Sequence, residues 1–133
     1  MTRFAALSAF ALLFAPSAAD ASPLDADAFD AATRGRTVYF YVGGAAYGVE
    51  HYLGNRHVAW SFPGEECLEG AWFPQGEQIC FVYRGSDEPH CWAWFDDGGR
   101  IRAIFENRPG DLELVEGAPF GTPLSCTGPE VGA

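Results

Sequence analysis

The sequence predicts a mainly β domain: an up-and-down antiparallel meander of about eight strands, a small barrel or strongly curved sheet, preceded by a short N-terminal helix. Three observations predict it. Turn-forming clusters recur about every ten to twelve residues. The runs between them are rich in aromatic and β-branched residues. The links are tight, as in a meander. The punctuation falls at Gly43-Gly44, Gly54-Asn55, Pro63-Gly64, Pro74-Gln75-Gly76, Gly85-Ser86-Asp87, Asp96-Asp97-Gly98-Gly99 and Asn107-Arg108-Pro109-Gly110. Eight strands is also the number at which a sheet closes around a filled or ligand-sized interior.

The elements follow in chain order. Arg3 gives a positive start, Phe4 to Ala15 is an unbroken apolar run, and Pro16 breaks it before a small-residue stretch ending Ala19-Asp20-Ala21. That is the pattern of a secretory signal peptide over 1–21, with an apolar segment too short to span a bilayer. No cysteine lies near the cut, so neither a lipid nor a transmembrane anchor is expected. Removing 21 of the 133 residues leaves 112, the size of one domain. A helix and linker are expected over 22–36: Ser22 as cap, Pro23 in the first turn, Gly35 as terminator. Its weak apolar stripe of Leu24, Ala28 and Ala31 or Ala32 packs over one end of the sheet. The β-meander domain occupies 37–117, in runs at 37–42, 46–53, 57–62, 67–73, 78–83, 90–95, 101–105 and 112–116. A Pro- and Gly-rich tail, 118–133, is expected to run extended.

Charge narrows the partners. The chain carries a formal charge of −10, and its eight basic residues are all Arg, a bias that reads as genomic. An acidic domain repels phosphate backbones, so no nucleic-acid partner is expected, whereas a basic protein or a cationic ligand is easily accommodated.

Four cysteines in an exported domain point to two disulfides. A hairpin turning at Gly85-Ser86 sets Cys80 opposite Cys91, where cross-strand Cβ atoms stand roughly 4.5–5.5 Å apart, within reach of a bridge. The turn at Pro74-Gln75-Gly76 places Cys80 near Ala71 rather than Cys67, so Cys67–Cys126 follows by elimination. That bridge closes a loop of about 60 residues, worth about 4 kcal/mol in the chain-entropy model. The cysteine spacing offers neither C-x-x-C zinc pairs nor a redox pair.

Catalytic and metal patterns are missing. His51 and His57 fall on successive runs around Gly54-Asn55 as near cross-strand neighbours, but Glu50 points to the opposite face, so they read as a surface or rim pair. Asp96-Asp97-Gly98-Gly99 reads as a hairpin turn rather than a calcium loop. With no nucleophile elbow, phosphate loop or free thiol, the chain is expected to be no enzyme and to need neither metal nor cofactor.

The aromatic load is the remaining anomaly. Val38, Phe40 and Val42 alternate with Tyr39 and Tyr41, and Trp92 and Trp94 share a face opposite Cys91 and Phe95, so several strands are apolar on both faces. A core plus an outer face covered by helix and tail explains this; so does an aromatic-lined pocket or patch. From Tyr47 to Trp92 the segments YGVEHY, EGAW, ICFVY and CW resemble a group of small uncharacterised exported proteins of alphaproteobacteria, across roughly the middle of the mature chain. The resemblance implies an exported domain and transfers no activity. Gly70-Ala71-Trp72 is similar to the Gly-x-Trp of lipocalin-type barrels, but it falls in the fourth run rather than the first and brings no ligand residues with it.

Two functions are expected from these features. One is a periplasmic or secreted monomer binding a small apolar or aromatic molecule through Trp60, Trp92, Trp94 and Tyr41. The other is an acidic protein-interaction module, such as an inhibitor of a basic hydrolase, using Glu65, Glu66, Asp87 and Glu88. Cleavage and bridging are checked together by intact mass without reductant: the exported protein should match 22–133, short of its fully reduced mass by the hydrogens of two disulfides.

Overall fold

The structure is a computed structural model and describes residues 11–13 and 22–121. A helix, α1 (Ala26–Thr33), precedes eight strands: β1 (Thr37–Val42), β2 (Ala45–Gly54), β3 (His57–Ser61), β4 (Leu68–Gln75), β5 (Gln78–Tyr83), β6 (His90–Asp97), β7 (Arg100–Phe105) and β8 (Glu113–Gly117). Each strand pairs antiparallel with its chain neighbours, and β8 returns to β1 through Tyr39↔Gly117, Phe40↔Glu116 and Tyr41↔Val115. The meander is therefore a closed barrel. The leader expected over 1–21 lies outside the described residues apart from 11–13, as does the tail beyond 121, including Cys126. Among the described residues no helix is long and apolar enough to cross a membrane.

Strand parity separates inside from outside. Val38, Phe40, Tyr52, Val58, Trp72, Ile79, Phe81, Trp94 and Ile101 turn inward and are almost fully buried. On the outer face Arg102 binds Asp97, reaches Glu113 and lies over the Phe95 ring. One irregularity alters the count: Phe40 faces Gly48 but Tyr41 faces Ala46, which leaves Tyr47 unopposed in a bulge. Its ring is carried to the Trp60 indole, with centroids 5.9 Å apart.

The hairpins give Cys80 its partner. Cys80 faces Cys91 and the two are joined, with Cα atoms 3.9 Å apart. Closing so short a loop is worth about 3 kcal/mol in the chain-entropy model. Only Ile79↔Trp92, Cys80↔Cys91 and Phe81↔His90 pair between β5 and β6, so the bridge reinforces a short seam. Cys67 is also disulfide-bonded, and its expected partner, Cys126, lies outside the described residues. On the other side Cys80 faces Phe73, two positions from the expected Ala71. The cause is the tip: Gly76, at φ +60°, and Glu77 make a two-residue turn, and Pro74 and Gln75 belong to β4. Cys67 precedes β4 and stands six residues from Phe73, so it is not opposite Cys80.

α1 differs from expectation in its start and its buried face. Asp25, not Ser22, caps it, accepting from the Ala28 amide at 2.8 Å. The amide of Leu24 is taken by the Trp94 carbonyl at 2.7 Å, which holds the preceding chain extended. At the far end the Gly35 amide donates to the Tyr52 carbonyl, and the Tyr52 amide to Arg36. The helix is thus strapped across one end of the barrel between β2 and β6. Ala28 and Ala31 are exposed, and Phe29 and Thr33 form the buried face with Ala26 and Ala32 at its margin. Phe29 has no exposed surface, and its ring packs on Tyr52, Trp72, Phe81 and Trp94 at centroid distances of 4.9–6.1 Å. The helix plugs the barrel end and does not cover an outer face. On the outside the tail contributes Phe120, packed edge-on against Tyr39 and Tyr41.

Removing that plug should be expensive. Phe29→Ala is expected to destabilise the protein by about 3–5 kcal/mol, and Phe29→Leu by less, measured by denaturant unfolding with the disulfides intact.

Candidate functional site

The end opposite α1 is open. There the connections between β3 and β4 and between β5 and β6 frame the mouth of a cavity of about 290 Å³ inside the barrel. Its upper wall is aromatic: Tyr47, Trp60 and Phe62 meet at steep angles, with centroids 5.3–5.9 Å apart, and Tyr83 and Trp92 continue the wall. Its floor is Tyr52, Phe81 and Trp94, three of the four rings that Phe29 touches from below. One partition thus separates plug from cavity.

Two glycines make room for this wall. A Cβ at Gly48 would lie 2.1 Å from the Trp60 indole, and one at Gly70 would lie 2.6 Å from the Tyr83 ring. Each ring occupies the space that a side chain on the adjacent strand would fill. Ser61 fixes the loop that carries Phe62: its hydroxyl donates to the carbonyls of Phe62 and Glu65, both at 2.9 Å.

Among these rings lies a carboxyl. Glu50, on β2, is 2% exposed and lines the cavity. The Tyr83 hydroxyl donates to its Oε1 at 2.8 Å, whereas Oε2, the Tyr52 hydroxyl and the Trp94 Nε1–H have no partner among the described residues. Burial pushes the Glu50 carboxyl up to about 8, against the opposing effect of the Tyr83 hydrogen bond. Burial, then the neighbouring Glu50 charge, holds the Tyr52 and Tyr83 phenols well above their ordinary range, and burial raises Tyr47. The arrangement sets a carboxyl oxygen, a phenol and an indole N–H, buried and without partners among the described residues, behind the aromatic faces of the cavity.

The residues singled out from sequence distribute unevenly. Trp60, Trp92 and Trp94 line the cavity. Tyr41 does not: it lies outside the barrel, its hydroxyl donating to the Ala118 carbonyl at 2.6 Å and its ring on Phe120. The bulge beside it makes Tyr47 the inward tyrosine instead. Glu65, Glu66, Asp87 and Glu88 are exposed in the two loops that frame the mouth. His51 pairs with Ala59 rather than His57, because the hairpin turns on Asn55-Arg56, and His90 reaches the mouth alone. Sequence reasoning missed Glu50, Tyr47 and Phe29. The signal for Glu50 was its parity: in YGVEHY it stands on the same side as Gly48 and Tyr52.

No protein-family model, curated protein or solved structure matches the chain. The site's chemistry therefore rests on its own geometry.

A carboxyl raised from 4.5 to about 8 on folding binds a proton that the unfolded chain has already lost within that interval. Glu50 therefore imposes no ionisation penalty below pH 4.5, and stability declines as pH rises from there to about 8. Glu50→Gln should abolish this slope, so its stability relative to wild type should grow between pH 5 and 8 in parallel denaturant titrations.

Proposed function

We propose that the protein is an exported, non-catalytic binding module that takes one small, largely apolar molecule into the open end of its barrel. The observation that carries this reading is the cavity itself. It has aromatic walls, a floor sealed by the Phe29 plug and a few convergent polar groups, the anatomy of a small-molecule site. At about 290 Å³ it lies at the small end of ligand pockets, which run from ~300 to 1,000 Å³. The Cys80–Cys91 bridge fits an oxidising compartment, and the leader-like residues 1–21 support the periplasm or the medium beyond it.

A second reading has its own observation. Glu65, Glu66, Asp87 and Glu88 are all exposed at the mouth end, as an acidic surface for a basic protein would require.

N-phenyl-1-naphthylamine, neutral and brighter outside water, separates the two. It is expected to bind one to one and to quench the cavity tryptophans. Trp60→Ala should weaken it at least tenfold, the loss expected when a large apolar contact is removed. Reversing the charge of the four mouth carboxylates should leave its Kd unchanged. Absence of stoichiometric binding to the wild-type protein would transfer the function to the acidic surface.

A further inference from the structure

The buried carboxyl of the cavity constrains what the ligand is. A buried carboxyl without a counter-ion is costly once ionised. Two guanidinium groups near the barrel ends are already held: Arg36 by Glu116 and the Ala32 carbonyl, Arg84 by Glu69 at the mouth. Among the described residues Glu50 receives only the Tyr83 hydroxyl. Its second oxygen is buried even with the barrel empty and has no partner among the described residues, so a negative charge there gains from a cation brought into the cavity. A purely apolar ligand would leave Oε2 buried and unpaired.

Three further features select the sign of the missing group. Tyr47, Trp60 and Phe62 stand at 55–87° to one another, so their faces form a corner of the kind that attracts a cation through ring quadrupoles. The mouth carries Glu65, Glu66, Asp87 and Glu88, which draw cations and repel anions. The chain as a whole is at −10.

Building on the proposed binding function, we infer that the ligand is an organic cation: a substituted ammonium on an apolar body, its nitrogen against the Glu50 carboxylate and the aromatic corner. The body fills the space lined by Phe81, Trp92 and Trp94.

The inference has a pH signature. Glu50 is largely protonated in the empty barrel at neutral pH, because burial holds its carboxyl at about 8. Binding a permanent cation expels that proton, so affinity should rise with pH through this range. The groups facing Glu50 are Tyr83 on β5, Tyr47 and Tyr52 on its own strand, and Trp94 on β6. The raised tyrosines stay neutral to pH 9. His90 and Arg84 face the cavity from the mouth.

The test uses the exported protein with its disulfides intact and two probes of one shape: benzyltrimethylammonium, a permanent cation, and its neutral isostere neopentylbenzene. Tryptophan fluorescence and calorimetry at low salt give the affinities. Benzyltrimethylammonium should bind at least tenfold tighter than the isostere. It should also gain about tenfold in affinity between pH 7 and 9, as the competent ionised fraction of Glu50 grows. His90→Gln should leave that gain in place. Glu50→Gln should abolish both the cation preference and the pH dependence while still binding the isostere, which also shows that its barrel is intact. If Glu50→Gln does not fold, the wild-type preference and pH profile decide alone. Equal or better binding of the neutral isostere, without pH dependence, would overturn the cation and leave an apolar binding module standing. Failure of both probes and of N-phenyl-1-naphthylamine would overturn the inference together with the binding function.

Discussion

Closure of the sheet is the constraint on which everything else depends. β8 meets β1 through only three paired positions, beside which Arg36 binds Glu116 and the second Glu116 oxygen accepts the Ile101 amide. Once the sheet is closed, no strand edge is left and the interior width follows from strand number and tilt. Inward side chains then compete for a fixed volume. Aromatic rings fill the half nearest α1, and the space they leave toward the other end is the cavity. Gly117 belongs to the same constraint: a Cβ there would lie 2.5 Å from the Tyr41 ring, which crosses the closing seam on the outside.

Within that volume Glu50 opposes stability. Its burial is offset in part by the Tyr83 hydrogen bond, and Tyr83 is itself seated where Gly70 leaves space. The carboxyl is therefore held in place rather than accommodated loosely, with its second oxygen unpartnered among the described residues. Sites of this kind, locally costly and structurally supported, are where function displaces folding as the reason for a residue.

How much of this was legible in the sequence follows from the range of each interaction. The strands were legible because glycine-marked hairpins and apolar runs are local signals, and β1 and β5 have the expected bounds. Cys80 and Cys91 were legible because a short hairpin transmits register directly. Closure, which joins residues nearly 80 apart at Phe40 and Glu116, leaves no local mark. The inward turn of Tyr47 and the outward place of Tyr41 depend on one bulge, invisible to a strict alternation. Phe29 was hidden by a start and stripe assigned to Ser22, Leu24 and Ala28, because the Leu24–Trp94 hydrogen bond that delays the helix is tertiary. Glu50 was visible as a charge on the face opposite His51, but only closure shows that this face is the inside.

The plug divides labour in a way that matters for how such a barrel diversifies. Phe29 lies on a helix outside the sheet, yet through Tyr52, Phe81 and Trp94 it determines how deep the cavity runs. Cavity depth is thus set from the helix, apart from the side chains on β2, β3 and β5 that line the walls. A change of size at position 29 is a route to a deeper or shallower interior that leaves the lining residues themselves untouched, so that depth varies independently of what surrounds it.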